Sequence, residues 1–272
     1  MPNTKLNKIS LENAPLEEAI NVNKSQKIFQ VINIMQERSL DRVIVNLNGK
    51  PKGVITSKDI LFKLEVKKTK KPTSTSMSAT GFVSSNFISV KFNKTVREAA
   101  KIISENKISA VPILNEDGIS RKIISRKTII DLLKENHDVT VKEIIQDSKS
   151  TANASARLID VLSRIRSEEN KTLIVLENLR SIGIINERGI VGKLFEAIIP
   201  NSLRNLDVIL NKLLVYDAMI KLRIQINPKT SLKEAIDIMQ NEELFTLPVV
   251  ENGKIVGVIT EETVFEYMLA NE

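Results

Sequence analysis

A hydroxyl residue and an acid stand three positions apart at the end of an apolar stretch, in residues 53–60 (GVITSKDI). The apolar residues predict a short strand, and the polar residues predict the start of a helix. Thr56 and Lys58 could hold an anion there, because the free backbone N–H groups of a helix N-terminus favour negative charge. An ionised Asp59 could accept hydrogen bonds from the hydroxyl groups of a ligand. Asp59 could equally be a helix N-cap that stabilises the fold by about 1 kcal/mol. The pattern alone leaves both interpretations open.

The same pattern returns three more times along the chain. Its other copies occupy residues 122–129 (KIISRKTI), 183–190 (GIINERGI) and 257–264 (GVITEETV). A unit that recurs four times at similar spacing indicates a repeat architecture.

An amphipathic helix precedes each copy, with apolar residues at i, i+3, i+4 and i+7. These predicted buried faces are Ile28/Val31/Ile32/Met35, Val96/Ala99/Ala100/Ile103, Leu158/Val161/Leu162/Ile165 and Leu232/Ala235/Ile236/Met239. Two strands should follow each helix, and Asn48-Gly49 and Asn252-Gly253 favour tight hairpins between them because both central residues need positive φ. A short extended lead-in precedes every helix. Each repeat is therefore predicted to be β-α-β-β-α.

Composition limits the classes of protein that fit. The 272 residues are 42% hydrophobic and 27% charged, as in a globular protein of one large or two medium domains. No apolar run approaches the roughly 18 residues of a membrane span, and the N-terminus lacks a secretory apolar region. Because the chain has no cysteine, we expect a cytoplasmic protein. With no cysteine and one histidine, the sequence predicts no metal site and no thiol catalysis.

Charge is unevenly distributed along the chain. Residues 1–138 hold 24 Lys and Arg against 14 Asp and Glu, whereas residues 139–272 hold 16 against 19. A basic half suggests a surface that meets polyanions, or simply a solvated basic surface. The cations that could form such a phosphate or nucleic-acid patch are Lys67, Lys68, Lys70, Lys71, Arg121, Lys122 and Arg126.

Two repeats carry further motifs. Repeat two has Thr-Val-x-Glu-Ala at 95–99 and Val-Pro at 111–112, and repeat four has Leu-x-Glu-Ala at 232–235 and Leu-Pro at 247–248. Repeats one and three have Ile44 and Ile174 in place of the proline. With the strand and Thr-x-x-Asp pattern, these motifs resemble the CBS domain from about residue 9 to the end. The resemblance implies an α/β (α+β) fold of four repeats, with no catalytic domain left over.

The same resemblance implies that CBS repeats pair into Bateman modules. The modules would be residues 1–138 and 139–272, and they could form a disk as a monomer or assemble as a homodimer. Residues 64–86, rich in Lys, Ser and Thr, are the expected linker within the first module.

For the nucleotide-binding members of this family, the resemblance also implies roles for the Thr/Ser-x-x-Asp residues. Asp59 would accept hydrogen bonds from ribose hydroxyls, Thr56 would donate to a phosphate, and Lys58 and Arg42 would pair with phosphate. Repeat one holds the complete set, so we expect an adenine nucleotide (AMP, ADP or ATP) there.

The other repeats depart from this pattern. Weaker second sites are expected at Ser125, Lys127 and Thr128 in repeat two and at Thr260 and Thr263 in repeat four, because neutral threonines replace the acid. Repeat three has Asn186 and Gly189 in these positions, and we expect it to be empty.

These observations favour a regulatory module that binds an adenine nucleotide and modulates a partner protein. The alternative is a DNA- or RNA-binding protein that uses its basic half, tuned by nucleotide. An enzyme is disfavoured, because no nucleophile–base pair, metal constellation or phosphate-cradling glycine loop is visible.

Overall fold

The computed structural model describes residues 5–38, 40–66, 77–84, 86–136, 138–146, 150–167, 172–198, 211–221 and 224–272. The chain divides into two compact units. Unit 1 consists of Met1–Ala19, Ile88–Asp147 and Ile224–Glu272, and unit 2 consists of Ile20–Phe87 and Ser148–Arg223. Each unit therefore combines one repeat from each half of the sequence: repeats two and four in unit 1, and repeats one and three in unit 2.

Unit 2 contains two sheets and their helices. The elements of repeat one are β2 (Asn21–Asn23), α1 (Ile28–Glu37), β3 (Arg42–Leu47), β4 (Lys50–Thr56) and α2 (Ser57–Val66). Those of repeat three are β8 (Thr151–Asn153), α5 (Leu158–Ser167), β9 (Thr172–Glu177), β10 (Arg180–Asn186) and α6 (Glu187–Ile198). Helix α7 (Val215–Ala218) and strand β11 (Ile220–Lys221) follow. The strand orders are β2-β3-β4 and β11-β10-β9-β8.

Unit 1 repeats this arrangement. The elements of repeat two are β5 (Val90–Lys91), α3 (Val96–Glu105), β6 (Ala110–Leu114), β7 (Ser120–Ser125) and α4 (Arg126–Leu133). Those of repeat four are α8 (Leu232–Asn241), β12 (Thr246–Glu251), β13 (Lys254–Thr260) and α9 (Glu261–Ala270). The strand β1 (Glu17–Glu18) joins the first sheet, in the order β1-β7-β6-β5, and β12 pairs with β13.

The structure confirms the predicted fold class and repeat pattern. In repeats one, two and three a short first strand runs parallel to the first hairpin strand, and each repeat has an antiparallel hairpin. Asn48 and Gly49 have φ values of 52° and 77° in the first hairpin, as the sequence predicted. All four predicted helix faces are buried, with no member more than 6% exposed. Each unit thus has its own apolar core beneath its helices.

The lead-in segments cross between repeats, which the sequence did not show. The lead-in to repeat one pairs with β7 of repeat two, at Glu17 opposite Ile123. In return, Ser84 of the lead-in to repeat two donates from its backbone N to Val54 O of repeat one, over 3.2 Å. Repeats one and two therefore exchange their lead-ins.

Repeats three and four make the same exchange. Ile220 pairs with Ile184 of repeat three, and Gln146 forms a bridge with Val258 of repeat four. The exchange explains a glycine of the repeated stretch: a Cβ at Gly257 would lie 2.4 Å from Gln146 O. Both exchanges link the repeats that the sequence assigned to modules 1–138 and 139–272, whose boundaries remain a prediction.

Candidate functional site

The opening of helix α2 in repeat one joins the predicted hydroxyl and acid directly. Thr56 ends β4, and its Oγ1 donates to Asp59 Oδ2 over 2.6 Å. The backbone N of Thr56 donates to the same oxygen over 2.9 Å, and Asp59 N donates back to Thr56 Oγ1 over 3.2 Å. This is a capping box. Thr56 is therefore the N-cap of α2, and Asp59 lies inside the first turn of the helix. The interpretation of Asp59 as the N-cap is wrong.

The reciprocal hydrogen bonds with Thr56 orient the Asp59 side chain but involve only one of its two carboxylate oxygens. Among the described residues, every hydrogen bond to this carboxylate ends on Oδ2. The residue is partly exposed, and it follows a strand end. The second oxygen, Oδ1, can therefore accept a hydrogen bond from a hydroxyl outside the chain.

Arg42 lies beside this opening because β3 and β4 are antiparallel neighbours. Its Cα is paired in register with that of Thr56. The guanidinium binds the Asp41 carboxylate with two nitrogens, Nε donating to Oδ1 over 2.8 Å and Nη2 donating to Oδ2. Ser57 N donates to Asp41 O over 3.0 Å, which ties this strand start to the helix start. Lys58 is exposed on the first turn of α2. The structure thus brings all four predicted residues of repeat one together.

Repeat two places a carboxylate at the same point from another segment. Ser125 is the N-cap of α4 and accepts from Thr128 N over 3.2 Å. Thr128 Oγ1 donates to Glu17 Oε1 over 2.6 Å, and Ser125 Oγ donates to the same oxygen. Lys127 is exposed. Sequence reasoning missed Glu17, because its role depends on the crossing of β1 over β7.

The openings of repeats three and four show other capping contacts. Asn186 Oδ1 accepts from Gly189 N over 3.0 Å, and a Cβ at Gly189 would lie 2.5 Å from Ala218 O. In repeat four Thr260 is the N-cap and accepts from Thr263 N over 3.1 Å. Both helix starts are thus capped locally, and the weaker site expected at Thr260 and Thr263 and the empty site expected in repeat three stay predictions.

Three members of the predicted basic patch, Arg121, Lys122 and Arg126, are among the described residues. Lys67, Lys68, Lys70 and Lys71 lie outside the described residues. Arg121 is exposed, and Lys122 forms an ion pair with Glu18 over 2.5 Å. Whether these cations meet phosphate remains a prediction.

Arg126, the last member of that patch, is buried. It is only 5% exposed, with Cζ 5.7 Å from the centre of the Phe265 ring and Nη1 3.4 Å from Glu262 Oε2. Its Nε and Nη2 have no hydrogen-bond partner among the described residues. Arg126 therefore contributes no guanidinium to the surface of the patch.

The described part of the chain contains no group of three or more His, Cys, Asp or Glu residues that could hold a metal ion. None of its helices has both the length and the apolar character needed to cross a membrane.

Comparison with known proteins identifies the family. The family model of the CBS domain matches residues 12–66, 79–135 and 215–270, which together make up more than half of the chain. The chain belongs to the CBS-domain family. The matched segments cover repeats one, two and four, while repeat three shows the same order of elements in the structure.

Known relatives resemble a large part of the chain. The uncharacterized protein MJ1225 of Methanocaldococcus jannaschii is 25% identical over 191 residues, which cover 67% of this chain and 66% of that protein, just under two thirds of its length. Its crystal structure, described as that of a proposed archaeal homologue of γ-AMPK, matches with a TM-score of 0.78 and 22% identity, over 92% of this chain and 96% of that chain.

Other solved structures match less closely. An uncharacterized conserved protein from Pyrococcus horikoshii matches with a TM-score of 0.58 and 17% identity, over 93% of this chain and 97% of that chain. CBSX2, solved in complex with AMP, covers 48% of this chain and 97% of that chain, with 20% identity and a TM-score of 0.39.

Proposed function

We propose that this protein is a regulatory CBS module that binds an adenine nucleotide at the opening of repeat one. The observation that carries the proposal is the Asp59 carboxylate, held on one oxygen by Thr56 and leaving the other oxygen available. Membership in the CBS family supports the adenine nucleotide as the ligand class, and the geometry supports a ribose and a phosphate in particular positions.

Asp59 would bind the ribose through its hydroxyl groups. An ionised carboxylate accepts hydrogen bonds from hydroxyls, and such charge-assisted bonds are roughly twice as strong as neutral ones. The capping bonds to Thr56 hold the side chain in one orientation before a ligand arrives, so little side-chain entropy remains to be lost on binding. A ligand with both ribose hydroxyls should therefore be preferred over a deoxyribose ligand.

The phosphate would lie near the first turn of α2. The helix start favours an anion, and Lys58 adds an exposed cation beside it. Arg42 is positioned by Asp41 and lies across from Thr56. Its five N–H donors allow it to contact a phosphate while it keeps bonds to Asp41.

Regulation would follow from a difference in affinity. A nucleotide can shift the protein between two arrangements only by as much as it prefers one of them. Modulation of a partner protein therefore requires that the partner also distinguishes these arrangements. The adenine nucleotide would act as the signal in this scheme.

Titration calorimetry of the full chain with AMP, ADP, ATP and S-adenosylmethionine tests the proposal. We expect binding of at least one adenine nucleotide below millimolar concentration, and loss of a binding class in Asp59→Asn, which keeps a side-chain oxygen for the capping bonds. The matched control is Glu98→Gln, because Glu98 forms the same type of capping box with Thr95 at helix α3. Equal affinity in wild type and Asp59→Asn would contradict the proposal.

A further inference from the structure

In each repeat a lead-in segment crosses the second hairpin strand and places one residue opposite the same position of that strand. At equivalent positions these are Ser84 in repeat one, Glu17 in repeat two, Ile220 in repeat three and Gln146 in repeat four. The acidic member, Glu17, crosses the repeat in which Thr128 replaces the acid of the Thr-x-x-Asp pattern. The lead-in therefore places an acid in repeat two, whose own Thr-x-x-Asp pattern lacks one.

The contacts of Glu17 resemble those of Asp59. In repeat one a single carboxylate oxygen accepts from the hydroxyl that ends the strand, over 2.6 Å. In repeat two a single oxygen of Glu17 accepts from Ser125 Oγ and, over 2.6 Å, from Thr128 Oγ1. Both carboxylates are thus held by the hydroxyl groups of a helix start.

The crossing strand holds Glu17 in this position. Glu17 and Glu18 pair with β7, and Ala19 N donates to Arg121 O over 2.9 Å. Glu18 forms an ion pair with Lys122 on the same strand. Glu17 itself is exposed, and within the described part of the chain its hydrogen bonds all end on Oε1. Its other oxygen can therefore be reached by a ligand.

We propose that Glu17 supplies, from a distant segment, the carboxylate of a second nucleoside site at the opening of repeat two. Ser125 and Thr128 position this carboxylate, and its free oxygen accepts from a ribose hydroxyl. The ligand class is a ribonucleoside or ribonucleotide, and Lys127 provides an exposed cation beside it. This inference rests on the proposed function, because it takes the contacts of Asp59 in repeat one as the pattern for a ligand site.

AMP titrations of the full chain test the inference through the number of sites. Wild type should bind two equivalents, and Glu17→Gln should weaken one class about tenfold or more, because a charged acceptor becomes neutral. Glu12→Gln is the matched control: it removes the same charge from an exposed residue that precedes β1 and should keep both equivalents. Asp59→Asn should remove the other class, and 2′-deoxy-AMP should bind more weakly than AMP to the class that depends on Glu17.

Other results would overturn the inference in distinguishable ways. One equivalent that is lost in Asp59→Asn and unchanged in Glu17→Gln would overturn it and leave the proposed function intact. Higher affinity or an additional equivalent in Glu17→Gln or Glu17→Ala would mean that Glu17 seals repeat two against ligands, which also overturns it. An absence of any binding by wild type at millimolar AMP would overturn the inference and the proposed function together.

Discussion

Repeats one and two place a carboxylate against the hydroxyl groups of a helix start, but they take it from different parts of the chain. Asp59 is three residues from Thr56, whereas Glu17 is 108 residues from Ser125 and 111 from Thr128. The polar groups at each opening therefore come from two segments: the local Thr-x-x-Asp pattern and the lead-in that crosses it. A repeat with a degenerate local pattern can still present an acid.

The largest effect should come from removing the local acid. Asp59→Ala deletes the carboxylate from repeat one, and we expect the affinity of that site for AMP to fall about 100-fold, the loss of a charged hydrogen-bond acceptor or two. Titration calorimetry measures the change. If the affinity falls less than about threefold, hydrogen bonds of this strength are not made by Asp59, and the capping box has a structural role alone.

The next effect separates phosphate from ribose. Arg42→Met should weaken AMP binding at repeat one about tenfold and leave adenosine binding unchanged, because only AMP carries the phosphate that a guanidinium would contact. Arg121→Met makes the same charge change on an exposed residue of β7 and serves as the control. Equal losses for AMP and adenosine would show that Arg42 supports the fold of the site and does not contact phosphate.

A pair of glycines in helix α6 extends the comparison to repeat three. A Cβ at Gly189 would lie 2.5 Å from the backbone oxygen of Ala218, whereas nothing lies within 4 Å of one at Gly192. We expect Gly189→Ala to lower the free energy of unfolding by about 1–3 kcal/mol. Gly192→Ala should raise it by about 0.5–1 kcal/mol, because alanine favours the helix. Denaturant unfolding of both variants measures the two changes in the free energy of unfolding. Equal changes would show that the contact between α7 and Gly189 does not require a glycine at the start of α6.

The smallest effect concerns a capping box with no proposed ligand. Hydrogen bonds from Lys94 and from the Thr95 backbone lower the pKa of Glu98 below its ordinary value of 4.5. Because the folded pKa is lowered, the stabilisation is present above pH 4.5 and is lost as the pH falls through the folded value. The side chain is 45% exposed, so the contribution should be only a few tenths of a kcal/mol.

Unfolding free energies measured between pH 2 and 7 would reveal this contribution in wild type, at the acidic end of the range where carboxylates titrate. Glu98→Gln should flatten that part of the curve and leave AMP binding unchanged. A change in AMP affinity in Glu98→Gln would show that the capping box of α3 also affects nucleotide binding. The effect of Asp59 substitutions would then not be specific to the capping box of α2.

Much of the fold could be predicted from the sequence. The 3.6-residue spacing of apolar residues gave the buried helix faces, and Asn48-Gly49 gave the first hairpin turn. The contacts of Asp59 were within reach because they are local: a hydroxyl followed three residues later by an acid is a capping pattern whether or not a ligand binds.

The remaining features depend on pairings between distant segments. Nothing in the local sequence of Glu17 reveals that β1 crosses β7, since the register of a two-residue strand is set by its partner. Arg126 appeared to be a surface cation in the sequence, yet it packs against Phe265 from repeat four. Nor does the local sequence show why residue 257 is glycine: a Cβ there would lie 2.4 Å from Gln146 O of the crossing lead-in.

The most direct test of the central claim measures whether Asp59 reads the ribose. AMP and 2′-deoxy-AMP are titrated into wild type and Asp59→Asn, and the ratio of the two affinities is compared at the site that the substitution alters. The account predicts a preference for AMP of about tenfold in wild type, the value of a charge-assisted hydrogen bond, which falls close to one in the variant. The same ratio in both proteins would contradict it.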